Sequence, residues 1–109
     1  MKRLTLLIVS VLVLVFSVNA RTFVLVTGVS SYENADANLS QTTKDAKSFK
    51  RVMETQTKDI TLLTSKYANH DNIMEKLRAI CNRAQKGDRI IFFFSGHGYD
   101  GGICAYDRA

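Results

Sequence analysis

Short apolar runs alternate with stretches of helical period between residues 22 and 94. Thr22-Phe23-Val24-Leu25-Val26-Thr27 has strand character and is ended by Gly28. Val29 to Gln41 is polar and reads as a loop. Thr42, with Asp45 three residues on, has the form of a capping box and predicts a helix with Ala46, Phe49, Val52 and Met53 on its apolar face. Ile60-Thr61-Leu62-Leu63 predicts a second, shorter strand. Asn69 is a suitable cap for a second helix, in which Ile73, Leu77, Ile80, Cys81 and Ala84 recur on one side before Lys86-Gly87-Asp88 ends it. Arg89 to Phe94 forms the third strand, apolar and aromatic on both faces, as in the buried central strands of a covered parallel sheet.

The order strand, helix, strand, helix, strand predicts an α/β layered domain with a mostly parallel sheet and right-handed crossovers. A strand order of 2-1-3 sets the first and third strands side by side at a switch point, where a crevice opens at their carboxyl ends. Ser95-Gly96-His97-Gly98 follows the third strand, so His97 is expected to line that crevice, with Gly96 and Gly98 allowing a sharp turn and close approach of a ligand. Imidazole exchanges a proton near neutral pH, which makes His97 the first candidate for chemistry; a loop histidine after a core strand is the plain alternative. The loop after Gly28 and the start of the Asp45 helix reach the same region. An apolar third strand followed only by Ser95 to Ala109 is expected to be covered by further strands and helices.

The first twenty residues stand apart. Met1-Lys2-Arg3 is basic, Leu4 to Phe16 is apolar apart from Thr5 and Ser10, and Val18-Asn19-Ala20 places small residues at a cleavage site. This is the order of an export signal, so residues 1–20 are expected to be removed and the domain to occupy residues 21–109 of an exported, secreted or periplasmic product. Membrane anchoring is the alternative, although the apolar core is shorter than the ~20 residues that span a bilayer. Without Lys2 and Arg3 the charge is 13 basic against 10 acidic residues. That excess is mild. Lys44, Lys47, Lys50 and Arg51 share a helix with apolar positions, as on a solvated face, and no aromatics alternate with them, which argues against nucleic acid as a partner.

Cys81 and Cys104 are too few for a disulfide scaffold, and neither they nor His70 and His97 show a metal-ligand spacing, so no metal site is expected. Cys81 falls with Leu77 and Ala84 and is expected to be buried and inert. A lone Gly28, with no glycine-rich phosphate-binding pattern around it, gives little support to an anion site of flavodoxin type.

Ile91-Phe92-Phe93-Phe94-Ser95-Gly96-His97-Gly98 resembles the histidine motif of the caspase-like cysteine peptidases, in particular metacaspases and bacterial caspase-domain proteins. Gly28-Val29-Ser30-Ser31-Tyr32, Leu39 to Lys47 with Asp45-Ala46, and Gly87-Asp88 leading into the third strand fall in that family's order, and Asp107 resembles an acidic position downstream of the histidine. The resemblance covers nearly all of Thr22 to Asp107 and implies the amino-terminal part of a three-layer caspase-like fold, incomplete in this chain. It implies a cysteine-type endopeptidase acting on peptides or proteins, with His97 catalytic, the Gly98 backbone amide in the oxyanion site, and Asp45 in a pocket for a basic side chain. Capping of its helix is the rival explanation of Asp45, and Ser31 and Tyr32 are placed to touch substrate or merely belong to a polar loop.

The family's nucleophile lies roughly 50 residues after its histidine. Ala109 lies only twelve after His97, so the nucleophile is expected to be absent and the chain inactive by itself. Cys104, seven residues after His97, is expected to be a small apolar residue of a strand rather than that nucleophile. A non-catalytic caspase-like binding module is the second reading. The resemblance implies no cofactor and leaves calcium activation open.

Overall fold

The computed structural model describes residues 20–109, so all but the last residue of the expected export segment lies outside the described residues. Strand β1 (Thr22–Gly28) is flanked by β2 (Ile60–Thr64) and β3 (Arg89–Ser95) in a parallel sheet of order β2-β1-β3. Helices α1 (Thr42–Met53) and α2 (His70–Arg83) form the two crossovers. A short antiparallel hairpin, β4 (Gly98–Tyr99) and β5 (Gly102–Ile103), follows β3. The architecture is therefore the expected α/β order, with the expected strand sequence across the sheet.

Alternation along β1 divides the core in two. Val24 and Val26 pack with Ala46 and Met53 of α1, joined by Phe49, Ile91 and Phe93, and the Phe49 and Phe93 rings stack with centroids 4.4 Å apart. Phe23 and Leu25 face the other way and pack with Leu63, Ile73, Ile80 and Ala105. Burying each such large side chain contributes about 1.5–3 kcal/mol. Thr27, the buried polar residue of β1, satisfies its hydroxyl by donating to the Phe93 carbonyl at 2.7 Å.

Three features depart from the sequence pattern. β3 is an edge strand with Ile90 41% and Phe92 38% exposed, not a strand buried on both faces. It hydrogen-bonds β1 alone, and on the α2 side Phe92 borders an open groove of about 520 Å³ with Ile73, Met74, Leu77, Tyr99 and Ile103. Cys81 is exposed rather than buried. At ~100° per residue it lies ~80° around α2 from Ile73, whereas Leu77, Ile80 and Ala84 stay within ~40°. Val52 is 60% exposed for the same reason, lying ~120° from Ala46 on α1.

The start of α1 also differs. Gln41, not Thr42, occupies the cap position, and its side chain makes no capping bond. Thr42 instead donates its hydroxyl to the Val29 carbonyl at 2.6 Å, and the free N–H of Thr43 donates to Ser30 Oγ at 2.9 Å. The cap thus comes from the loop after β1. Gly28 permits this docking: a Cβ there would lie 2.6 Å from Ala46 Cβ and 2.7 Å from the Thr42 carbonyl oxygen. α2 follows the expected rule, Asn69 Oδ1 accepting from the Asn72 N–H at 2.8 Å.

At the opposite end of the sheet, Asp59 accepts from Arg21 at 3.1 Å and from Arg83 at 3.2 Å, and both guanidinium groups lie over the Phe23 ring. The two arginines hold the Asp59 carboxyl below its ordinary value. Asp88 accepts from the Arg21 and Gln85 N–H groups, which lowers its pKa as well. Asp107 ties the chain end to α2 by accepting from the His70 N–H at 3.0 Å.

Candidate functional site

β1 and β3 run in register to their last residues, Gly28 opposite Ser95, and the Val29 N–H extends the pairing to the Ser95 carbonyl at 2.9 Å. Both chains leave the sheet together, so the loop after β1 and the turn after β3 meet at one carboxyl end. His97 sits in that turn, half-buried. Its backbone carbonyl accepts from the Cys104 N–H at 2.8 Å, which ties the turn to the residue that follows β5.

His97 Nε2 lies 2.6 Å from the Ala37 carbonyl oxygen. A carbonyl can only accept, so Nε2 carries hydrogen; in the neutral ring the lone pair is then at Nδ1. The other end of the residue is held by Tyr32, whose Oη accepts from the His97 N–H at 2.8 Å and donates to the Cys104 carbonyl at 3.1 Å. Burial raises the Tyr32 pKa, partly opposed by the bond from His97, so this hydroxyl remains a donor well above neutral pH. The Tyr32 and His97 rings lie 5.2 Å apart, tilted by 47°. Gly96 makes room for them: a Cβ there would stand 2.7 Å from Tyr32 Oη and 2.8 Å from Phe94 Cζ.

Asp45 is brought to the same edge from the first turn of α1, where Ser95 donates its hydroxyl to Asp45 Oδ2 at 3.3 Å. The carboxylate is exposed and makes no capping-box contact with Thr42, so the capping explanation of this residue is corrected. Gly98 opens β4, exposed and directly after His97. Ser31 is exposed in the β1 loop and donates its N–H to Ser65 Oγ. Tyr32, by contrast, is 4% exposed and is part of the core rather than a substrate-facing loop residue.

The side chain of Cys104 packs against the core that contains Phe23 and Leu25, and Cys81 is on the outside of α2. Among the described residues no group of three or more His, Cys, Asp or Glu could hold a metal ion. Among them, too, no helix is long and apolar enough to cross a membrane.

Sequence reasoning missed the Ala37 carbonyl and the part played by Tyr32. A carbonyl acceptor has no residue signature, and Tyr32 stands in a loop whose polarity conceals that Val29 and Tyr32 are buried.

No curated protein matches the chain. The family model described as the caspase domain matches residues 21–109, a span that holds the whole sheet, both helices and the histidine turn. The chain therefore belongs to the caspase-domain peptidase family, of which it carries the strand-helix-strand-helix-strand portion.

Proposed function

We propose that this chain is the histidine-bearing part of an exported caspase-type cysteine endopeptidase, in which His97 serves a thiol supplied by residues other than Cys81 and Cys104. The contact that carries this reading is the one between His97 Nε2 and the Ala37 carbonyl at 2.6 Å, because it leaves Nδ1 as the basic atom of a neutral imidazole. Nδ1 takes the proton of the thiol, the thiolate attacks the scissile carbonyl, and the imidazolium returns the proton to the leaving amine. The Gly98 backbone N–H, beside the histidine, donates to the developing oxyanion. Asp45, a carboxylate at the same sheet edge, accepts a basic side chain of a peptide or protein substrate. None of these steps calls on a cofactor, and calcium enters only as an activator to be tested by chelation.

The positions of the two cysteines also favour a second reading, a non-catalytic caspase-like module that binds a partner. Peptidase assays separate the two. The 109-residue chain is expected to be inactive. A chain extended with a caspase-type cysteine segment is expected to cleave peptides, and His97→Ala to reduce that rate by about 100 to 10,000-fold with the fold intact. Activity in the short chain that disappears with Cys104→Ser would make Cys104 the nucleophile. An extended chain that binds peptides without cleaving them would favour the binding module. Export is tested separately: the amino terminus of the exported product is expected to be Arg21, and retention of Met1 on a membrane-bound product would favour anchoring.

A further inference from the structure

We propose that Tyr32 is a positioning residue for His97, fixing both the backbone from which the imidazole projects and the carbonyl that selects its tautomer. The proposal rests on the reading of His97 as the proton-transfer group of the site.

Two separate parts of Tyr32 act on the two ends of the histidine. The hydroxyl accepts from the His97 N–H at 2.8 Å and donates to the Cys104 carbonyl at 3.1 Å, joining the turn after β3 to the segment that follows β5. The Tyr32 backbone N–H donates to Asn38 Oδ1 at 2.8 Å, and Asn38 directly follows the residue whose carbonyl meets His97 Nε2. One residue therefore sets the distance between the His97 backbone and the Ala37 carbonyl. A tyrosine buried only for its ring would leave its hydroxyl in search of any acceptor, whereas here the oxygen both accepts and donates, and its two partners, His97 and Cys104, flank the β4-β5 hairpin. Gly96 belongs to the same arrangement, since any side chain there would displace Oη.

The test uses the chain itself, with isotopically labelled histidine. It contains two histidines, and the exposed His70, paired with its neighbour Asp71, is an internal control. In the parent chain the ring nitrogens of neutral His97 are expected to give the widely separated NMR shifts of an Nε2–H tautomer. In Tyr32→Phe these shifts are expected to move toward averaged values and the His97 amide to exchange at least about tenfold faster, while His70 is unchanged and unfolding stays cooperative. A purely packing role predicts none of this, because phenylalanine keeps the ring. Unchanged His97 nitrogen shifts and amide exchange in folded Tyr32→Phe would overturn the proposal. Should that variant not fold, Asn38→Ala decides, because it leaves ring and hydroxyl in place: averaged His97 nitrogen shifts support the proposal and unchanged shifts overturn it. These readouts do not depend on turnover, so they stand apart from the loss or survival of activity in His97→Ala.

Discussion

The Ala37 carbonyl decides which nitrogen of His97 is free, although an alanine in a loop offers no hint of that in the sequence. His97, Gly98 and Asp45 stand out in the sequence as candidates because their side chains or their position after an apolar strand advertise chemistry. Their partners do not, because a backbone oxygen and a buried tyrosine hydroxyl act through distance alone. Asp45 shows how the two kinds of information diverge. Its spacing from Thr42 suits a cap, yet its carboxylate faces Ser95 and is exposed. Asp45→Asn is therefore expected to change stability by less than about 0.5 kcal/mol in urea denaturation, in line with other surface substitutions. Because Asn can itself cap, Asp45→Ala decides between the two explanations, and a loss near 1 kcal/mol there, the usual weight of a cap, would restore capping. In an active extended chain Asp45→Asn is expected to weaken cleavage after Arg or Lys more than cleavage after neutral residues, and equal loss on both would remove Asp45 from the pocket.

At the scale of the element, each helix began close to where the apolar period placed it, but only α2 was capped as its sequence suggested. α1 takes its cap from Ser30, 13 residues away in the chain, a distance over which no local pattern can be read. Ser30→Ala removes the acceptor of the Thr43 N–H and is expected to cost about 0.5–2 kcal/mol, seen as a lower urea midpoint with faster exchange at Thr43. An unchanged midpoint would mean that water replaces the serine without loss. The apolar face of α2 is legible from Ile73 to Ala84, but the exposure of Cys81 is not, because a residue on the stripe's margin is buried or exposed according to how the helix is rolled on the sheet. In the native chain Cys81 is expected to react with a thiol reagent well before Cys104, with the difference abolished in urea. Equal native rates would contradict the packing of Cys104 against the core.

For the whole molecule, the strand order and the crossovers were legible in the alternation of runs, whereas the exposure of β3 was not, since an apolar strand carries no mark of its place in a sheet. Carboxylates fasten both the amino-terminal end of the sheet and the end of the chain. Asp59, Asp88 and Asp107 all have pKa values lowered below 3.8, for Asp59 chiefly by its bond from Arg21 and for the others by backbone N–H donors. A carboxyl lowered in the folded state stabilises it above the unfolded pKa, and that contribution is lost as pH falls from near 4 through the lowered native value. Unfolding measured from pH 6 down to pH 2 is expected to show this decline, and Asp59→Asn to make it shallower below pH 4; an identical slope would remove Asp59 from the acid response. The place of β1 has a consequence for how the chain acquires its shape. Phe23 to Gly28 are buried between two strands that both come later, and the Arg21 N–H finds Asp88 67 residues further on. During synthesis the most apolar part of the core emerges first and waits for β3 before it is enclosed, since pairing over such separations is slow. Throughout that interval an unpaired apolar strand is open to aggregation and to capture by chaperones, so the yield of folded chain depends on how soon β3 arrives.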